Sequence, residues 1–126
     1  MKRNWYMRSR LGDYARLKHI LDAIAEIESY LIGTEYEAFL KNSMMRFACI
    51  KQMEIIGEAS DHVSDEIKTK FSEIEWTQIK GMRNIFVHEY FGIDTRLVWE
   101  IVKHDLPDLK EKVTEIIASF PEYPNP

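Results

Sequence analysis

From Tyr14 onward apolar positions recur at helical intervals: Tyr14, Leu17, Leu21, Ile24 and Leu31 are three, four or seven apart, with Ile20 and Ile27 widening the stripe. That is the pattern of an amphipathic helix facing a core. Asp13 is the expected N-cap after Gly12, and Gly33 the expected C-cap. In TEYEAFLKN, Thr34 and Glu37 have the spacing of a capping box, which predicts a short helical turn. Ser43 is then placed to cap a long helix through MMRFACIKQMEIIGEASDHV. Its polar stripe, Lys51, Glu54, Glu58 and Asp61, advances by three or four residues. Met45, Ala48, Ile55, Ile56 and Ala59 supply an apolar surface broad enough for the central helix of a bundle.

Ser64 predicts the start of another short helix, DEIKTKF. SEIEWTQIKGMRNIFVHEYFG reads as a helical approach flexed near Gly81, followed by a helix that ends by Gly92. Asp94 has the character of an N-cap for TRLVWEIVKH. DLPDLKEKVTEIIASF opens with Asp105 and an early Pro107, both tolerated in a first turn, and sets Leu109, Val113 and Ile116 or Ile117 in register. No segment reads as a strand, repeat or long linker. The expected fold is all-α, an antiparallel bundle of four or five helices forming a single domain over residues 1–126. It opens with a basic arm of about ten residues, and the proline-rich PEYPNP, from residue 121, closes it as an extended or disordered tail.

Composition narrows the function classes. At 126 residues, with 45% hydrophobic and 30% charged positions, the chain can bury one core without disulfides or metals. Its single cysteine, Cys49, sits in the apolar run MMRFACI and is expected to be a buried, reduced thiol. No apolar run approaches the roughly 20 residues of a membrane span, and MKRNWYMRSR lacks the apolar segment of a signal peptide, so a cytoplasmic location is expected. A net charge of −4 argues against indiscriminate coating of nucleic acid. The charge is uneven, however: the first ten residues carry Lys2, Arg3, Arg8 and Arg10 and no acid. Such an arm either solubilises the terminus or touches a phosphate backbone.

The chemistry concentrates in GMRNIFVHEYFG, Gly81 to Gly92, where an arginine, an asparagine, a histidine and a tyrosine fall within eight residues. On a regular helix of about 100° per residue, Arg83 and Tyr90 share a face, His88 lies roughly 140° round from Arg83, and Asn84 stands one turn before His88. Structurally, Arg83 can snorkel or pair with Glu54 or Glu58, while His88 and Tyr90 serve as a helix-end cation and a packing residue. Chemically, a permanent cation beside a group that exchanges protons near neutral pH meets two needs of phosphodiester cleavage. With RNA the substrate's own 2′-hydroxyl can attack, so no protein nucleophile, metal or cofactor is required. One histidine is few for both base and acid, and a two-fold dimer would bring two into one cleft. Glu58 follows Gly57, which allows close helix approach; its carboxylate is expected either to play a plain structural role or to orient Arg83. The pairs Glu58 with His62 and Glu100 with His104 read as surface contacts, because a helical di-iron site uses Glu-x-x-His spacing. Trp76 and Trp99 read as core or interface anchors.

RNIFVHEY resembles the R-x4-H-x-Y motif of HepT-like toxins, all-helical ribonucleases of the HEPN superfamily. AIAEIESYLIG, EIIGEA and EWTQIKGMRNIFVHEYFGIDTRLVWEIVKHDLPDL follow the same family's pattern, so the resemblance covers roughly Leu11 to Leu109. It implies that Arg83 and His88 are the catalytic pair of a metal-independent endoribonuclease, with Asn84 as the polar residue following the arginine. It implies a homodimer whose cleft forms where two motif helices meet. It also implies a partner, a minimal nucleotidyltransferase antitoxin of the MntA type, that transfers AMP from ATP to Tyr90. Two rival expectations remain open: a non-catalytic substrate-binding or partner subunit of such a nucleotidyltransferase, and a dimeric helical module without an RNA role.

Overall fold

The computed structural model describes the backbone of residues 2–85 and 94–120, and side chains within those spans from Gly12 onward. Helix α1 runs over Lys2–Tyr30, α2 over Tyr36–Lys41, α3 over Ser43–Asp61, α4 over Asp65–Lys70 and α5 over Trp76–Lys80. A 3₁₀ turn, Gly81–Asn84, continues α5. Helix α6, Thr95–Glu100, passes through a π-helical turn, Ile101–Asp105, directly into α7, Leu106–Ala118. The described residues contain helices and turns and no strand, as the all-α reading expects.

The periodic positions on α1 are the buried ones. Leu17, Ile20, Ile24, Ile27 and Leu31 point into the core, and Tyr14 and Leu21 pack at its edge. From α3 come Cys49, Ile50, Met53, Ile56 and Ala59, and from α7 Leu106, Leu109, Val113 and Ile116. Each fully buried large side chain contributes roughly 1.5–3 kcal/mol relative to exposure. Helices α1 and α3 are antiparallel: Tyr30, ending α1, receives a hydrogen bond from Gln52 in mid-α3, whereas Asp13, early in α1, meets Ser64 just beyond α3. Lys110 on α7 reaches both Glu28 carboxylate oxygens on α1 at 3.2 Å.

Several boundary expectations are corrected. Asp13 does not cap α1, because the helix continues through Gly12 back to Lys2. It is buried instead, accepting from the Ser64 backbone N–H at 2.8 Å and hydroxyl at 2.6 Å. Ser64 in turn accepts from Ile67, the cap expected of it. Thr34 and Glu37 form no capping box: α2 begins one residue later, with Glu35 at its N-cap and no side-chain cap bond. Asn42, not Ser43, caps α3, its side chain accepting from the Met45 N–H at 2.9 Å. Asp105 does not open a separate helix; its backbone is helical, and the π turn leads straight into the first turn of the following helix, which holds Pro107. Ile55 is not in the core but at the outer edge of α3. α1 ends at Tyr30, so Gly33 is not its C-cap; with φ of +69° it sits in the turn that follows, closed by the Thr34 N–H on the Leu31 carbonyl at 2.9 Å. Asp94 caps α6, accepting from Leu97.

Trp76 and Trp99 anchor packing as expected. Trp76 donates to the Phe71 carbonyl at 3.1 Å, and Trp99 packs against Phe39 and edge-on to Tyr36, joining α2 to α6.

Candidate active site

The flex expected near Gly81 is a change of helix type. Ile79, Met82 and Ile85 fall at intervals of three and are all buried. A 3₁₀ turn has three residues per turn, so this spacing keeps one edge on the core through residue 85. The remaining edge carries Lys80 and Arg83, also three apart, with Asn84 beside them, and all three are exposed. His88 and Tyr90 lie outside the described residues.

Gly57 decides how near this edge comes to α3. A Cβ there would stand 2.8 Å from the Arg83 backbone nitrogen and 3.1 Å from the carbonyl oxygens of Ile79 and Lys80. No ordinary side chain fits such a gap, so the close approach expected of Gly57 is made against the backbone that carries Arg83.

That approach sets Arg83 over the polar stripe of α3. Its Nη1 lies 3.1 Å from Oδ2 of Asp61, within hydrogen-bonding distance, and 3.6 Å from Oε2 of Glu58. Glu58 therefore does face Arg83, as expected, but the shorter contact is with Asp61, a residue visible in the stripe and given no role by its spacing alone. The other Asp61 oxygen is 3.4 Å from Lys80 Nζ. Partial burial alone would raise the Asp61 carboxyl; Lys80 through a hydrogen bond and its charge, then Arg83 and Lys68, outweigh that and hold it below the ordinary carboxylate value.

Lys51, Glu54, Ile55, Glu58, Arg83 and Asn84 line one open groove of about 430 Å³. Two of the expected site residues, Arg83 and Asn84, and the supporting Glu58 are thus brought together on one surface. Lys51 pairs with Glu54 at 3.7 Å, and His62 lies 3.8 Å from Glu58. Glu100 and His104, 3.1 Å apart, form an exposed contact on another helix. Cys49 takes no part: it is fully buried in α3, and burial pushes its thiol up to about 11.

The groove thus sets Arg83 and Asn84 on one solvent-open surface with Lys51, Glu54 and Glu58. The model of the family described as ribonuclease HepT-like matches residues 20–116, and the chain belongs to that family, which is one of ribonucleases. The candidate RNase MJ1380 of Methanocaldococcus jannaschii is 40% identical over 99 residues, 79% of this chain and 91% of its own length. The probable ribonuclease HepT of Thermococcus cleftensis is 39% identical over 100 residues, 79% of this chain and 91% of its own. A candidate RNase of Caldanaerobacter subterraneus is 36% identical over 101 residues, 80% and 90% of the two chains. No solved structure matches the chain. Among the described residues no helix is long and apolar enough to cross a membrane.

Proposed function

We propose that this chain is a metal-independent endoribonuclease, the toxin of a toxin–antitoxin pair, that cuts RNA with Arg83 and His88 at a homodimer cleft. The observation that carries the reading is Arg83, the first residue of R-x4-H-x-Y, turned outward into an open groove in a chain of ribonuclease family. Arg83 binds the scissile phosphate and offsets the charge that develops on phosphorus as the 2′-hydroxyl attacks. His88 removes the proton from that hydroxyl, and a second His88 from the other copy returns one to the departing 5′-oxygen. Asn84, in the groove beside Arg83, offers its amide to the substrate or to the imidazole; Glu58 steadies the arginine from α3.

A further feature supports the dimer. Leu40, Met44, Phe47 and Ile55 are exposed apolar residues, the last three along one side of α3, and Ile55 lines the groove itself. A two-fold partner covering that side would bury the stripe and bring two grooves together. Tyr90 is the acceptor of AMP from a nucleotidyltransferase antitoxin: its added phosphate competes for Arg83 and its bulk closes the groove.

The test is cleavage by unmodified protein in EDTA. Cutting is expected to persist there and to disappear in Arg83→Ala and His88→Ala. Full activity in either variant, or none in EDTA with recovery on adding a divalent metal, would sink the reading. Incubation with the antitoxin and ATP is expected to add AMP mass to wild type and none to Tyr90→Phe.

A further inference from the structure

We propose that Asp61 is the positioning residue for Arg83, holding the guanidinium by one nitrogen so that its opposite edge is presented to a phosphate. The inference rests on the reading of Arg83 given above and adds to it a residue outside R-x4-H-x-Y. Both carboxylates near Arg83 meet the same nitrogen, Nη1: Asp61 at 3.1 Å and Glu58 at 3.6 Å. Among the described residues no hydrogen bond engages Nε or Nη2. A guanidinium takes a phosphate best through two parallel N–H donors along one edge. Anchoring by Nη1 leaves the Nε and Nη2 edge for that grip while removing much of the freedom a long side chain would otherwise lose on binding.

Asp61 suits this role better than Glu58. It makes the hydrogen bond, whereas Glu58 at 3.6 Å makes only a charge contact, and its side chain is 29% exposed against 59%. Glu58 also faces His62, sharing its attention. Asp61 is surrounded by cations: Lys80 Nζ is 3.4 Å from its free oxygen, and Lys68 donates to its backbone carbonyl at 3.4 Å. With Lys68, Lys80 and Arg83 set against Asp61 and Glu58, the cluster keeps one net positive charge, so the anchor does not cancel the attraction for RNA. An inhibitory acid would need to sit on the phosphate-facing edge; this one sits at the rear, on the last residue of α3.

Two readouts test the proposal, one independent of cleavage. In guanidinium-labelled protein, rotation about the Arg83 Nε–Cζ bond is expected to be slow in wild type and at least several-fold faster in Asp61→Asn; equal rates would overturn the anchor. In single-turnover cleavage, Asp61→Asn is expected to lower the rate about 10- to 100-fold, the scale of a slightly misplaced catalytic group. RNA affinity should move less than about threefold, the melting temperature should stay near wild type, and Asp61→Glu should recover part of the rate. A wild-type or faster rate in Asp61→Asn would overturn the proposal, the faster rate marking Asp61 as a competitor for Arg83. A rate loss that tracks a fall in melting temperature, with unchanged Arg83 rotation, would reduce Asp61 to a structural residue. Arg83→Ala, run beside these, separates the two claims. If it is inactive while Asp61→Asn is normal, the cleavage reading stands and this inference falls; if it cuts normally, both fall.

Discussion

Gly57 on α3 and Arg83 on the 3₁₀ turn meet backbone to backbone: a methyl group on the first would lie 2.8 Å from the amide nitrogen of the second. This contact, rather than any side-chain bond, fixes the height of the arginine above the α3 stripe.

Gly57→Ala should therefore harm both fold and site. In an isolated helix the change would help by about 1 kcal/mol. Here the neighbours are backbone atoms with no rotamer to yield, and overpacking of this kind costs about 1–3 kcal/mol. A lowered melting temperature is expected, together with cleavage reduced more than stability alone explains. A variant as stable and active as wild type would show that the turn can move away freely.

Asp13 is expected to matter more than its place outside the site suggests. Its carboxylate is buried and takes both the amide and hydroxyl of Ser64, tying α1 to the start of α4. Asp13→Ala leaves these donors without their partner, a loss of about 1–3 kcal/mol. Denaturant melts check this, with Asp13→Glu and Ser64→Ala for comparison; an unchanged midpoint in Asp13→Ala would count against the tie.

The exposed stripe on α3 predicts the route of assembly. Met44→Glu or Phe47→Glu places charge on an outward position without emptying the core, so the helical spectrum should be retained. Light scattering is expected to show a dimer for wild type and a shift of at least tenfold in its dissociation constant for Phe47→Glu, with cleavage falling in step. Dimers as tight as wild type in both variants would put the interface elsewhere.

Cys49 should resist thiol reagents in the native state. Its thiol is pushed up to about 11 by burial, so little thiolate exists at neutral pH. Labelling with a thiol-specific chromophore should be slow in buffer and rapid in denaturant. Rapid native labelling at pH 7 would contradict this placement.

The Asp61 cluster makes a pH prediction of definite sign. Its carboxyl lies below its ordinary value in the folded chain, burial being outweighed by Lys80, Arg83 and Lys68. Its contribution to stability is thus complete above the unfolded value and is lost as pH falls through the lowered one. Across the range in which histidine titrates, roughly pH 5–8, Asp61 stays ionised. The acidic limb of the cleavage profile is expected to keep its midpoint in Asp61→Asn while the plateau falls; a shifted midpoint would assign that limb to the aspartate.

Much of this molecule was legible along the chain because helical periodicity is local. The stripe on α1 and the register of Leu109, Val113 and Ile116 on α7 follow from which residues recur every three or four positions. Caps were less legible. Several polar residues near a helix start can bond the first free N–H groups, and neighbouring elements choose among them; Asn42 displaced Ser43, and Asp13 was drawn to Ser64. The π turn that joins α6 to α7 was hidden because Asp105 and Pro107 look like a new start.

The sequence by itself determined an all-helical chain, a ribonuclease family, and the motif containing Arg83, Asn84, His88 and Tyr90. Only the tertiary structure decided which acid holds Arg83, since Glu54, Glu58 and Asp61 share one stripe and nothing in their spacing says which of them the arginine meets. That choice depends on where the 3₁₀ turn crosses α3, and the crossing depends on Gly57, where the missing side chain lets two backbones meet. Distances between elements remote in sequence are not encoded in any local period, so the pairing of Arg83 with Asp61 appears only when the chain is folded.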